Sequence, residues 1–344
     1  MEKSNLIGID LAKNVLQVCK VSKHGELVTN KAVSPSKLKQ LLAKSTPSIV
    51  VMEGCGTCHY WGRLALSFGH EVRIINPKKV KGFLQGQKTD ANDALAIATA
   101  ATQASVKFSR VKSEEQQTLQ TLETSRKFLD RELTALNNHI RAYLYEYGIT
   151  MKRGRKSLRE TIVLVLDHLD TRLPQCLKNT LSLLWERYQS TLVQLKQAKV
   201  FKADLVKQIE PCKRLLALES VGEVGAAMLY ANIGDGKEFK NGRGASACIG
   251  LTPKQHSSGG KVVMLGINKK GGNKELRAVL YQGALSVISR LPAEPQTVKQ
   301  AWLIALVRRV GIKRACIALA NKTVRTAWAL LATGESYQPV MLEK

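Results

Sequence analysis

Acid is scarce in this sequence. Its 344 residues hold 27 Asp and Glu against 53 Lys and Arg, a formal net charge of +26. A field of that size repels itself in a compact chain unless a polyanion neutralises it, so nucleic acid is the first partner expected. No amphipathic stretch gathers its Lys and Arg on one helix face, which weakens a membrane-surface reading. No apolar run approaches the ~20 residues of a membrane span. The polar opening Met1–Asn5, followed by a short apolar strand, lacks the core of a secretory signal, so a cytoplasmic protein is expected. Seven cysteines, an odd number without secretory context, are expected as reduced thiols. Cys55-Gly56-Thr57-Cys58-His59 has the spacing of a c-type haem attachment. Such attachment requires export, and no second Cys pair completes a zinc site. Internal repeats and low-complexity tracts are absent.

What is present begins with the strand Leu6-Ile7-Gly8-Ile9-Asp10, an apolar run that ends in a carboxylate. Burying even a neutral polar group without a partner costs roughly 2–7 kcal/mol, so Asp10 needs a hydrogen-bonded or cationic neighbour. The chain turns at His24-Gly25 and returns over 26–32 as an antiparallel strand. Ser48–Met52 is a second buried strand, ending at Glu53. A helix over 59–68, a Gly69 stop and a strand over 71–75 complete a strand–helix–strand unit with parallel pairing. Asp90 and Asp93 stand three apart at the start of an Ala-rich helix and share one face of it. Two acids there could also serve the helix dipole, an account that suits one better than a same-face pair.

Ser113-Glu114-Glu115-Gln116 opens a long helix, whose Leu119, Leu122, Leu129, Leu133, Leu136, Ile140, Tyr143 and Tyr147 recur at spacings of three and four, with Arg126 as the one gap. A basic link of Lys152, Arg153, Arg155, Lys156 and Arg159 follows. A second seam runs through Leu181, Leu184, Tyr188, Leu195, Leu205 and Ile209. The two arms form either a spacer that contacts another copy or an internal bundle. From Cys212, helix, Gly222-Glu223-Val224-Gly225 turn and helix resemble a helix-hairpin-helix element, whose backbone N–H groups can meet phosphate. A Ser/Gly loop with Lys254, His256, Ser257, Ser258 and Lys261 comes next, then Lys269, Lys270, Lys274 and Arg277, and three closing helices over about 273–288, 295–309 and 313–333. Arg308, Arg309, Lys313 and Arg314 are further candidates for phosphate contact.

Asp10, Glu53, Asp90 and Asp93 would together make an all-oxygen site for a hard cation, Mg²⁺ or Mn²⁺. Two such ions could stabilise the attacking and leaving oxygens of a phosphodiester displacement. The order of these acids on strand, strand and helix resembles the RNase-H-like, RuvC-type nuclease core. The surrounding blocks resemble more narrowly the DEDD transposases of the insertion-sequence "one-ten" family, "eleven-eleven" group. They are Ile7-Gly8-Ile9-Asp10-Leu11-Ala12-Lys13, Met52-Glu53-Gly54-Cys55-Gly56, Asp90-Ala91-Asn92-Asp93-Ala94, Gly250-Leu251-Thr252-Pro253 and Gln255-His256-Ser257-Ser258-Gly259-Gly260-Lys261. The blocks run in family order from residue 6 to about 288.

The resemblance implies an RNase-H-like α/β domain over 1–150 ending in a long helix. It further implies a helical coiled-coil spacer over 151–211 and a mainly helical transposase domain over 212–344 that carries a nucleophilic serine. It implies that Asp10, Glu53, Asp90 and Asp93 bind the metal and that Ser258 is the nucleophile, with the adjacent Ser257 as the alternative. Double-stranded donor and target DNA, a structured guide RNA, a homodimer assembling to a homotetramer and a nucleoid-associated bacterial setting are its implied partners and place. Asn268 departs mildly from the pattern, standing where Ser is common. A serine hydroxyl needs activation, and no Ser-His-Asp arrangement is evident, so a metal site in the other domain or another copy is the expected activator. Three rivals remain. A RuvC-like junction resolvase or nuclease would use water in place of serine. An actin-like sugar kinase also opens on such a strand but wants Gly and Thr after the Asp. A non-catalytic binder would need none of the four acids.

Overall fold

A computed structural model describes residues 5–22, 24–167, 171–268 and 271–342. The chain divides into two compact units, Met1–Glu115 and Gln116–Lys344. The expected α/β first part and mainly helical remainder are both present.

The first unit is built on a six-stranded mixed sheet in the order β3-β2-β1-β4-β5-β6. The strands are β1 (Leu6–Asp10), β2 (Leu16–Val21), β3 (Leu27–Val33), β4 (Ile49–Glu53), β5 (Glu71–Ile75) and the short β6 (Phe108–Ser109). β1, β2 and β3 form an antiparallel meander, whereas β4 runs parallel to both β1 and β5. Around them lie helices α1 (Pro35–Lys44), α2 (Cys58–Ser67), α3 (Pro77–Val80) and α4 (Asp90–Ala101).

Strand period two sorts the side chains into two cores. Ile7, Ile9, Val18, Val50 and Met52 pack with Leu38, Leu42, Trp61 and Ala65 of α1 and α2. Leu6, Cys19, Val51 and Ile75 pack with Ala94, Ile97, Ala98 and Ala101 of α4. Burial on both faces explains the continuous apolar runs of β1 and β4. Each such side chain contributes roughly 1.5–3 kcal/mol, enough to hold the two strand ends against the repulsion of the acids they carry.

The second unit is largely helical: α5 (Glu114–Glu146, entering from the boundary), α6 (Arg155–Val165), α7 (Gln175–Gln208), α8 (Glu210–Leu216), α9 (Glu223–Ile233), α10 (Gly242–Ile249), α11 (Lys274–Ile288), α12 (Val298–Val310) and α13 (Ile312–Thr333). The long helix α5 thus falls almost wholly in this unit. Its apolar seam meets that of α7 inside the chain: Leu133, Ile140, Leu144, Leu158, Ile162, Leu181, Trp185 and Tyr188 form one core. Arg187 pairs with Glu132, and Lys202 with Glu123 at 2.7 Å, so the two helices run antiparallel. Of the two readings of the seams, these residues realise the internal bundle.

One expected loop is a β-hairpin. Residues Pro253–Ser258 (β7) and Lys261–Ile267 (β8) pair antiparallel across Gly259-Gly260. Both glycines have positive φ, +54° and +79°, as a two-residue hairpin turn requires. The polar run Gln255–Ser258 disguised the first strand. Valine-rich β8 is the stronger signal.

Candidate metal centre and serine hairpin

The acid centre follows from register and period. Leu6, Gly8 and Asp10 alternate toward α4, as do Val51 and Glu53 on β4. The β1–β4 register pairs Gly8 with Val51 and Ile9 with Met52, and one further step brings Asp10 beside Glu53. Above them α4 starts at Asp90, its amino end capped by Thr89, whose hydroxyl accepts from the Asn92 N–H. Asn30 fastens the same turn by donating to the Ala91 carbonyl at 2.8 Å, and Gln17 in turn donates to Asn30. Gly8 lets α4 approach closely. A Cβ there would stand 2.8 Å from the Ala94 carbonyl oxygen and 2.9 Å from the Ala98 Cβ.

The outcome is a cluster in which Asp10, Asp90 and Asp93 each bring a carboxylate oxygen within 4.8 Å of the others. Glu53 stands just outside that triad but within its field. Burial pushes the Asp10 carboxyl up to about 6, and Asp93, Asp90 and Glu53 add to the rise. Glu53 is raised too, by burial and then by Asp93, while Lys81 and Lys88 pull it back. Mutual repulsion among the partly buried Asp10, Asp93 and Glu53 and the exposed Asp90 is the condition a divalent cation relieves, and an all-oxygen donor set suits a hard ion. Tertiary packing brings Asn30 and Lys81 near the acids, whereas Lys88 stands two residues before Asp90 in the chain.

Cys55 and Cys58 are free thiols, as are the other five cysteines. Cys58 is buried in the first turn of α2. His59 is also committed to the fold: its Nδ1 accepts from the Lys112 N–H, and burial with nearby Lys112 and Arg63 pushes it down to about 4.

In the second unit, Ser258 ends β7 opposite Lys261 and is exposed. Pairing and alternation set Ser258, His256, Lys261 and Val263 on one face of the hairpin and Ser257 on the other. Ser257 Oγ accepts from Gln255 Nε2 at 2.9 Å. No described residue hydrogen-bonds the Ser258 hydroxyl, so of the two serines Ser258 is the free one.

The remaining expected contact residues divide. Lys152, Arg153, Lys254, His256, Lys261 and Lys274 are exposed. Arg155 and Lys156 are exposed but pair with Asp130 at 3.1 Å and Glu160 at 3.8 Å. Gly222 caps α9 in open space, whereas Gly225 lies inside the first turn of that helix, buried against Val221. Arg277 is the clear correction. It is buried, and its Nη1 donates to the carbonyls of Ile249 at 2.9 Å and Gly271 at 2.5 Å, which ties the hairpin's base together rather than presenting a cation to phosphate. Sequence spacing could not separate it from its exposed neighbours. Lys269 and Lys270 lie outside the described residues.

A transposase family model matches residues 7–149, which contain all four acids, and a second, for the IS116/IS110/IS902 transposase family, matches 212–300, which contain the hairpin. The transposase for insertion sequence element IS1111A of Coxiella burnetii is 37% identical over 98% of this chain and 92% of its own length. The chain belongs to the IS110 family of transposases. The transposase for insertion sequence element IS1328 of Yersinia enterocolitica is 33% identical over 97% of this chain and 98% of its own. A pilin gene-inverting protein of Moraxella bovis is more distant, 23% identical over 94% and 95%. Among solved structures, Thermus thermophilus RuvC matches 30% of this chain and 99% of its own at 17% identity. Its TM-score of 0.25 is too low to argue fold or function from. Membership in this family agrees with the acid cluster in pointing to a divalent metal. Among the described residues, no helix is long and apolar enough to cross a membrane.

Proposed function

We propose that this transposase is a Mg²⁺-dependent DNA recombinase that cuts and rejoins DNA through a covalent phosphoserine link at Ser258, with a structured RNA as its guide. The observation that carries the reading is the convergence of Asp10, Asp90 and Asp93 within 4.8 Å at the end of two buried strands. An antiparallel meander running into two parallel strands supports the RNase-H-like assignment of the first unit. Asp10, Asp90 and Asp93, with Glu53 beside them, would hold the cation. A divalent ion held there would supply charge stabilisation in phosphodiester exchange. The Ser258 oxygen loses its proton and forms a bond to phosphorus while the deoxyribose oxygen leaves and takes up a proton in exchange, so the phosphodiester is exchanged rather than hydrolysed. The reverse attack by a second strand's hydroxyl rejoins the DNA without ATP. His256 and Lys261, on the same face of the hairpin, hold the phosphate for that attack. Donor and target duplexes and the guide RNA account for the +26 charge.

We assign the exposed apolar residues Leu183, Val193, Val200 and Phe201 on α7 and Phe128 on α5 to contact between copies in a dimer and tetramer. Wild type incubated with a matched donor–target pair, its co-purified RNA and Mg²⁺ is expected to yield a protein–DNA adduct that survives denaturation. Ser258→Ala is expected to bind DNA and give neither adduct nor recombinant. Recombinants from Ser258→Ala would overturn the serine assignment. Cut ends without adduct in both proteins would favour the water-using resolvase. Heterogeneous co-purifying RNA would remove the guide.

A further inference from the structure

A second cationic feature lies at the foot of the hairpin, in a cleft of about 1010 Å³ walled by α10, α12, α13 and the ends of β7 and β8. Arg243, Arg314, Lys322 and Arg325 line it, and no described lining residue is acidic. All four are exposed, and none pairs with a carboxylate among the described residues. Elsewhere in this unit cations find acids, as Lys202 does with Glu123 and Lys299 with Glu219. Four unpaired cations facing one cleft cost self-repulsion that a polyanion would relieve.

The cleft is built, not incidental. Residues 314, 318, 321, 322, 325 and 329 recur at helical spacings of three and four, so α13 turns one continuous stripe into it. Ala318 keeps that stripe open between Arg314 and Lys322. Gly242 brings α10 against α13, since a Cβ there would stand 2.9 Å from the Arg325 Cα. This close crossing puts the neighbouring Arg243 beside Arg325. Trp302 forms part of the wall with the Lys322 ammonium 4.8 Å from its ring centre, and Trp328 is pinned by its Nε1–H on the Gly236 carbonyl. Cations along a groove with an aromatic face between them are the components of a single-strand nucleic-acid site. A duplex presents its phosphates on a convex surface and its bases inside, and would leave Trp302 unused.

We infer that this cleft holds a single-stranded DNA segment flanking the phosphate transferred at the hairpin, with its backbone on Arg243, Arg314, Lys322 and Arg325 and one base against Trp302. The hairpin supplies the reason for DNA. Leu251, Pro253 and Ile267 at its foot line the cleft, and Ser258 lies five residues further along β7, ~17 Å at the rise of an extended strand. A strand seated in the cleft can therefore lead to that serine. The choice of DNA rests on the recombinase reading, whereas the presence of a single-strand site does not.

The test is binding by the full chain in EDTA, where no catalysis occurs, so that failure of the Ser258 chemistry leaves the result untouched. The probe is a short fluorescein-labelled oligodeoxynucleotide, compared with the same sequence as RNA and as duplex DNA, over a salt series. Lys322→Ala/Arg325→Ala is expected to weaken single-stranded DNA binding and to lower the slope of log K against log salt by about 1.4, two contacts at ~0.7 each. Trp302→Ala is expected to weaken it about 5- to 150-fold, the worth of one stacked base, with Trp302→Phe restoring most of the loss. Ultraviolet crosslinking should place the oligodeoxynucleotide on the Trp302 or Lys322 peptide. An unchanged slope in the exposed double variant, or crosslinks confined to other peptides, would overturn the site. Equal losses for duplex would overturn the single-strand assignment, and losses confined to RNA would overturn the assignment to DNA.

Discussion

Removing the charge of Asp10 should stabilise the metal-free protein while destroying its function. Asp10 is held up at about 6 against an ordinary 3.8 by burial and by three neighbouring carboxylates. A carboxyl whose folded value is raised costs no stability below its unfolded value. The cost grows as pH rises from the ordinary value of 3.8 towards the folded one and is complete above about 6. The full shift of about 2 units is worth ~3 kcal/mol at neutral pH. Asp10 is only half-buried, so solvent screening reduces this to ~1–2 kcal/mol. Asp10→Asn should therefore raise the melting temperature of the first unit at pH 7.5 in EDTA by at least about 4 °C. The difference should shrink below pH 6 and vanish near pH 4. Mg²⁺ should reverse the order, since an ion at 100 times its dissociation constant adds ~2.7 kcal/mol to wild type alone. Differential scanning calorimetry at the two pH values, with and without Mg²⁺, measures both effects. An Asn variant less stable than wild type in EDTA at pH 7.5, or an equal gain from Mg²⁺ in both proteins, would refute the description of Asp10 as a repelled metal ligand.

Two further perturbations probe the second unit. Lys202 is 2% exposed and paired with Glu123, which also holds Arg126 at 2.8 Å. Glu123→Ala should cost about 3–5 kcal/mol in denaturant unfolding, because it strands a buried ammonium, and replacing Lys202 by Met in the same chain should recover part of that loss. Arg277→Ala should speed amide exchange across Pro253–Ile267 by freeing the hairpin's base, while leaving the salt dependence of DNA binding unchanged. A salt slope lower by nearly one unit would return Arg277 to the phosphate-contacting set.

Asp10 and Glu53 stand out in the sequence because a carboxylate at the end of a continuous apolar strand has no cheap structural explanation, and strand period two then fixes which face each occupies. The pairing of Asp90 with Asp93 was legible for the same reason in helical period. Gly8 was visible only as part of a motif. Its physical role, admitting α4 to the sheet, needs the helix in place. The hairpin resembles a loop in sequence because its first strand contains Gln-His-Ser-Ser, which carries no apolar alternation. Arg277 was grouped with its basic neighbours because sequence records charge and not burial. The seams of α5 and α7 were read correctly as seams, yet a three-and-four spacing says nothing of whether the facing helix belongs to the same chain. Nothing in the sequence groups Trp302, Lys322 and Arg325 as a site, because their cleft joins three helices and a hairpin from well-separated stretches.

Gly8→Ala offers the sharpest test of how the fold positions the metal centre, because it changes no acid. An added Cβ meets the Ala94 carbonyl at 2.8 Å and the Ala98 Cβ at 2.9 Å, both on α4 and neither at the end of a flexible side chain. Relief requires α4 to withdraw by roughly half an ångström, at a cost of about 1–3 kcal/mol. Asp90 and Asp93 ride on that helix and Asp10 does not, so the withdrawal opens the triad by an amount comparable to the tolerance of a metal site. Gly62→Ala is the matched control: its Cβ would meet Val111 Cγ2 at 2.6 Å, but α4 takes no part in that contact. Both variants should lose stability in EDTA, and only Gly8→Ala should also lose most of the melting-temperature gain on adding Mg²⁺ or Mn²⁺. Equal metal-induced gains in the two variants would mean that the helix-to-strand distance does not set the centre, and that Asp90 and Asp93 reach the ion by side-chain adjustment alone.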